Sequence, residues 1–369
     1  MIFPNDPILI DEFIKQGISR DDSHKLFNSG YYIAADGHIA DSFYGNKYYS
    51  GLHPLNSSGV KFSPKEFTVS SLSEIKSILS EPEHAVYRSR MVFRGQTKEY
   101  YTQREYPNPI AEHKGKERLI IPGYWRKFST NWNLRFSAPD YESVFLSNYG
   151  DELIYHGIAN WRNLASINSS RYGPHLLSDL ENFPDPESQE YGRRWQAFKI
   201  QGIANTSLPL VEQHYGIETT GLDVTFDVSI ATFFSLHQFT KRHDDTAYYQ
   251  PIDPLLHAGI VYCIVFESPP LTRATQNYLN NEIFSHIKPT RPVSQDCALP
   301  FFGRHNINEA VADLLCIFKI APNFSTDDIP NSNDLFPEIY KDPFYKAALE
   351  AKFKAMKSSP LKNIVEYSL

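Results

Sequence analysis

The 369 residues contain no GxxxxGK[ST] or GxGxxG loop, no HExxH, no GxSxG and no CxxC pair. These absences argue against phosphate binding through a Gly-rich loop, a zincin protease, an elbow-type hydrolase and a zinc knuckle. Cysteine is scarce. Cys263, Cys297 and Cys316 are odd in number and far apart, which argues against a disulfide framework and predicts buried thiols in a reducing compartment. Positive charge is not in excess: 36 Lys and Arg against 43 Asp and Glu give a formal charge of −7, so a broad footprint for duplex DNA is missing and only a local basic cleft stays open. Long apolar runs are missing too, and the start MIFPNDPILIDEF has no basic n-region. The expected location is cytoplasmic, with no membrane partner. His237 and His243 stand six apart and share no helical face, so no metal is expected.

What the chain has in quantity is aromatic side chains, 14% of residues with 23 Tyr and 25 Phe, too many for a disordered polymer. Residues 1–60 read as a small appendage: two short helices, ILIDEFIKQ and SRDDSHKLFNSG, then a hairpin signalled by Asp36-Gly37. Its four Lys and Arg against seven Asp and Glu have the wrong sign for a phosphate-binding wing. The expected class is α+β, a mixed β-sheet core flanked by helices over 65–325, with residues 326–369 a helical tail packed on it. Ser71 and Glu74 form a capping box ahead of a helix whose apolar face is Leu72, Ile75, Ile78 and Leu79. GIVYCIVF (259–266) is the clearest strand, LLCIFKI (314–320) its expected neighbour, and 141–214 reads as mostly helical. Tyr345, Leu349 and Phe353, at steps of four, predict an amphipathic closing helix.

Three stretches concentrate polar residues against apolar ones. In SRMVFRGQTKEYY an apolar strand stops on Arg94, and Gly95, lacking a side chain, lets backbone or ligand approach. In VEQHYGIETTGLDVTFDVSIATFFSLHQF, Gln213 and His214 end a helix-like run at Gly216, and Thr219, Thr220, Asp223 and Thr225 crowd a turn. Asp227 caps a helix apolar enough to be buried against the sheet. Free N–H groups at that turn favour an anion, although the same residues serve equally as caps. In IKPTRPVSQDCALPFFGR, Arg291 and Gln295 fall between two proline-bearing turns, and a buried Gln295 needs partners.

Together these stretches resemble the FRG domain family, whose name-giving FRGQ stands here as Phe93-Arg94-Gly95-Gln96. Pro122, Trp125 and Arg126 are similar to the step that follows. Gln213, His214, Gly216, Thr219, Leu222, Asp223 and Thr225 are similar to the family's QHxG and LDxT block, and Arg291 and Gln295 to a late arginine and glutamine. The resemblance covers roughly residues 70 to 320. It departs at TGLDVT, where the family has Arg-Leu-Leu-Asp-Trp-Thr: Thr220, Gly221 and Val224 replace an arginine, a leucine and a tryptophan, and with that arginine goes an anion fork.

A strand ending in aromatic-Arg-Gly is also similar to the first motif of ADP-ribosyltransferases, in which the arginine grips the phosphates of NAD. The resemblance implies an NAD-using enzyme that modifies a macromolecule, protein or nucleic acid, in a bacterial toxin or phage-defence setting, with room for an inhibitory partner protein. Arg94 then binds phosphates; Gly95, Gln96, Gln213, His214 and Arg291 surround the cofactor; Thr219 and Thr225 shape the ribose pocket; and Asp223 with Gln295 orients the ribose. Cleavage of the nicotinamide–ribose bond develops positive charge that a carboxylate stabilises. Gln295 supplies none, which leaves Asp223, Glu282 or Glu309. Two other readings stay open: a non-catalytic nucleotide or nucleic-acid binding module, and a buried polar network that pins the core. A binding or catalytic cleft puts Arg94, Asp223 and Gln295 around one open concavity; a structural network seals them.

Overall fold

The computed structural model describes residues 7–28, 30–33, 39–41, 64–103, 107–108, 110–126, 211, 213–216, 219, 221–244, 246–254, 256–266, 273–274, 288–300, 308–354 and 360–367. Glu282, Thr220, the Asp36-Gly37 turn and nearly all of the helical pattern read over 141–214 lie outside the described residues. The fold is α+β. At the N-terminus, α1 (Pro7–Lys15), α2 (Arg20–Asn28) and the antiparallel strands β1 (Tyr31–Ile33) and β2 (Ile39–Asp41) close on a small core of Phe13, Leu26, Tyr31 and Ile39.

Strand β3 (Lys65–Val69) leads through α3 (Leu72–Leu79) and the one-turn α4 (Pro82–Ala85) to β4 (Met91–Gln96). Helix α3 starts where its cap dictates: Ser71 Oγ accepts from the Glu74 N–H at 3.1 Å. The return half of the box is displaced by one residue, since Glu74 accepts from the Ser70 N–H at 2.7 Å. The chain then forms a small antiparallel sheet of β5 (Tyr101–Thr102), β6 (Glu112–His113) and β7 (Lys116–Arg118), followed by the single turn α5 (Gly123–Arg126). Further on come β8 (Val224–Thr225), α6 (Val228–Leu236), β9 (His237–Lys241), β10 (Thr246–Pro251) and β11 (Ile260–Val265). The remaining elements are α7 (Thr290–Ser294), β12 (Cys297–Ala298), β13 (Leu314–Ile320), α8 (Ser332–Leu335), α9 (Pro343–Lys354) and β14 (Glu366–Tyr367).

The central sheet is mixed, in the order β12-β8-β4-β11-β13-β3, antiparallel throughout except where β13 meets β3. Every residue of β11 is buried, as a continuous apolar run demands, and β13 is its neighbour. Val92, Tyr262 and Ile264 pack on one face; Met91, Phe93, Val261 and Cys263 pack on the other, against α3 and α6. All three cysteines are buried and free, with Cys263 directly opposite Cys316. Among the described residues no helix is long and apolar enough to cross a membrane.

Two local readings are corrected here. Strand β4 does not stop at Arg94 but runs to Gln96, because Arg94, Gly95 and Gln96 stay in register with Tyr262, Val261 and Ile260. What ends at Arg94 is the apolar pattern, and the ladder continues. Phe353 is not on the buried face of α9: it is 81% exposed, whereas Phe344, Tyr345, Ala348 and Leu349 are buried. Steps of four overshoot the 3.6-residue turn, and two successive steps carry the third residue off the stripe.

The glycine after Arg94 answers to the helix above it. A Cβ on Gly95 would come within 1.7 Å of the Ala231 carbonyl oxygen of α6, and one on Gly259 within 2.5 Å of the Ser235 oxygen. Helix α6 therefore lies directly on the sheet backbone, with Ala231 to Ser235 held over the end of β4. Gly95→Ala is expected to cost at least about 3 kcal/mol, since a backbone oxygen must move rather than a flexible side chain. Urea unfolding of the variant checks this; wild-type stability would mean that α6 has room to shift.

Candidate functional site

The site forms where β4, the turn before β8, α6 and the C-terminal end of α7 converge. Asp227 Oδ1 accepts from the Ser229 N–H at 2.8 Å and fixes the start of α6. Thr225 Oγ1 donates to the Gln295 carbonyl at 2.7 Å and accepts from the Asp227 N–H at 3.1 Å. Those two bonds tie the β8 turn to the end of α7. Around them opens a cavity of about 240 Å³ whose walls include Arg94, Gly95, Gln96, Asp223, Thr225 and Gln295.

Six of the ten site residues expected from sequence thus line one concavity. The other four stand behind it. Gln213 Oε1 accepts from both the N–H and the hydroxyl of Thr219, at 3.1 and 2.7 Å, and makes a satisfied turn. His214 Nε2 lies 3.7 Å from Asp223 Oδ1, so it backs a cavity residue without lining the cavity. Arg291 is fully buried at 0% exposure, with its guanidinium carbon 3.8 to 4.9 Å from the ring centres of Tyr345, Tyr367 and Tyr215. It is a structural cation in an aromatic cage. Glu309 opens the short 3-10 helix before β13 and does not reach the cavity, so Asp223 is the one carboxylate among the described lining residues.

The polar atoms in the cavity are unevenly satisfied. Gln295 is 2% exposed and donates to the Leu335 carbonyl at 3.0 Å. Arg94 Nη1 donates to the Asp223 carbonyl, but its Nε is buried with no hydrogen-bond partner among the described residues. Neither end of the Gln96 amide has one. Leaving such a group unpaired costs about 1–3 kcal/mol, so a polar partner in the cavity would be held by these atoms. Burial, together with the like charge of Arg126, pulls Arg94 down to about 10, partly offset by Asp223; it stays charged at neutral pH. A closed ion network stands elsewhere for contrast: Arg118 meets Glu66 at 2.7 Å and Glu99 at 3.1 Å, and Lys319 meets Glu66 at 2.5 Å.

Sequence reading left several lining residues out of its site. Arg126, on the turn α5, lies over the Tyr100 ring at 4.7 Å, and both face the cavity. Phe234, His237, Phe239 and Tyr249 supply a wall from α6 and the β9–β10 pair. His237 Nδ1 lies 2.9 Å from the Phe233 carbonyl, and its ring stacks on Phe233. The aromatic alternation in HQFTK and AYYQP was the available signal.

Burial lowers both His214 and His237 from the ordinary 6.5, against the pull of Asp223 on the first and of the Phe233 carbonyl on the second. The unfolded chain then takes up protons that the native one resists. Stability is therefore full above about pH 6.5 and falls as pH drops below it, by at most about 1.4 kcal/mol per pH unit for each histidine. Urea midpoints compared at about pH 7.5 and about pH 5.5 test this, and His214→Gln should flatten the dependence. A midpoint that rises on acidification would reverse the sign.

No family model, no curated protein and no solved structure matches the chain.

Proposed function

We propose that the chain is an FRG-type protein that binds NAD in this cavity and transfers its ADP-ribose group to a macromolecular acceptor. The observation that carries the reading is the convergence of Arg94 and Gln96, each with buried polar atoms unpartnered among the described residues, on the cavity that also holds Asp223. The donor set suits such a ligand. Arg94 offers a cation to phosphate, Gln96 and Gln295 offer amides to hydroxyls, and Tyr100, Phe239 and Tyr249 offer ring faces to a base. When bound, NAD supplies a ribose carbon that loses nicotinamide to a nucleophile.

The residues divide the work by chemistry. Arg94 holds negative charge at the end of β4, and its tie to the Asp223 carbonyl fixes the backbone that carries the one carboxylate of the described lining. Asp223 faces the positive charge that develops on the sugar, and the aromatic wall limits water. The setting that goes with this reading is a bacterial cytoplasm, in toxin or phage-defence systems, with room for an inhibitory partner protein.

One observation favours a second reading, a nucleotide-binding module without turnover. The Asp223 carboxylate lies 3.7 Å from His214 Nε2, so one of its oxygens stands toward a residue behind the wall. Equilibrium binding of NAD and release of nicotinamide by the purified protein separate the two. Binding with release supports the transferase; binding without release supports the module; neither would remove NAD from the cavity.

A further inference from the structure

Gln96 closes β4 with an amide that the fold leaves unoriented. It is 7% exposed and lines the cavity, yet among the described residues neither its Nε2 nor its Oε1 has a hydrogen-bond partner. Gln295, in the same lining, shows the contrast: its Nε2 donates to the Leu335 carbonyl at 3.0 Å, which fixes where its nitrogen and oxygen stand. Arg94, two residues before Gln96 on the strand and so on the same face, is held by the bond from its Nη1 to the Asp223 carbonyl. Of these three side chains, Gln96 alone has no tie at its polar end.

What an untied amide can hold follows from its two ends. It presents an N–H donor and an oxygen acceptor side by side. A phosphate or carboxylate group brings acceptors only, so it meets Nε2 and sets a second acceptor against Oε1. A lone hydroxyl meets one end at a time. A primary carboxamide brings the matching donor and acceptor, and the two amides close on each other with two hydrogen bonds whichever way Gln96 is turned. NAD carries such a group on its nicotinamide ring, away from its phosphates.

We infer that Gln96 reads the carboxamide of the nicotinamide ring and so selects NAD over its deamidated form, in which a carboxylate replaces that carboxamide. This deepens the NAD reading of the cavity and rests on it. Charge alone sets the opposite order, because Arg94 attracts an added carboxylate. A preference for the neutral group therefore reports the amide pair and not the field of the cavity.

NAD and deamidated NAD are the probes, titrated by calorimetry into wild type and Gln96→Met, which keeps the length of the side chain and loses both polar ends. Wild type is expected to bind NAD at least about tenfold more tightly, and Gln96→Met to narrow the ratio to about threefold or less, mainly through weaker NAD binding. Without ligand the variant should melt no lower than wild type, since it gives up no hydrogen bond among the described residues. Equal binding of the two probes by wild type, or an unchanged ratio in folded Gln96→Met, overturns the inference. So does equal weakening of both probes in the variant, which assigns the amide to the adenine edge or to a ribose diol, and so does a sharply lowered melting point, which makes Gln96 structural. Nicotinamide release, measured in parallel, keeps the inference apart from the transferase reading. A Gln96-dependent preference without release leaves the inference standing and removes the transferase. Release without any preference between the probes does the reverse, and no NAD binding removes both.

Discussion

Arg94→Ala is expected to reduce nicotinamide release by about 100-fold or more, the usual effect of removing one charged donor aimed at a reacting ligand. Its melting point is expected to stay within about 2 °C of wild type, which for a chain of this size is roughly 1.5 kcal/mol. Two opposing effects keep the stability change small. The variant loses the bond from Nη1 to the Asp223 carbonyl, worth about 1.5–3 kcal/mol for a charged donor. It also sheds a desolvated cation that Arg126 repels. Activity and stability assays on the same preparation decide the matter. Full nicotinamide release with a sharply lowered melting point would make Arg94 a structural residue.

The opposite pattern is expected at Arg291. Arg291→Ala should destabilise the fold by about 3–5 kcal/mol, because a desolvated cation–π contact is worth about 2 kcal/mol or more and truncating a large buried side chain leaves a cavity. The cation is caged by Tyr215, Tyr345 and Tyr367, with Phe336 at 5.9 Å. Its Nη1 reaches the His214 carbonyl only at 3.4 Å, so the rings do most of the holding. Arg291→Met, which keeps much of the volume without the charge, should lose less. Urea unfolding of both variants measures the difference. Gln295 caps the helix that carries Arg291 and bonds to the Leu335 carbonyl beside the cage, so nicotinamide release should fall along with stability. A stable Arg291→Ala variant would mean that the rings close on each other without the cation.

Much of the fold was legible because it is written locally. GIVYCIVF and LLCIFKI are apolar throughout and become adjacent strands, Asp227 caps the helix it precedes, and Ser71 caps α3. Arg94, Asp223 and Gln295, read together from the sequence, line one cavity, because the end of an apolar pattern and the turns next to a buried helix leave polar groups at the edge of a core. The rest depends on which distant segments meet. Nothing near TRPVSQ says that Tyr215, Tyr345 and Tyr367 will enclose Arg291, and the same residue type that lines a cleft at 94 is walled in at 291. Arg126 and Tyr100 are likewise brought to the cavity by pairing between β5 and β7, two short strands with little pattern of their own. Residues 326–369, read as helical, add a strand: β14 lies parallel to β10, a pairing made with sequence more than a hundred residues earlier.

The aromatic cage also sets an order of events on the ribosome. Tyr367 is made 76 residues after Arg291, and at about 5–20 residues per second the interval between them is about 4 to 15 s. Throughout that time Arg291 lacks the full set of rings that encloses it. A nascent or prematurely ended chain thus carries the cavity residues without the closure that holds α7 and Gln295 against them. Completion of synthesis through Tyr367 closes the cage and, with it, fixes α7 and Gln295 at the cavity wall.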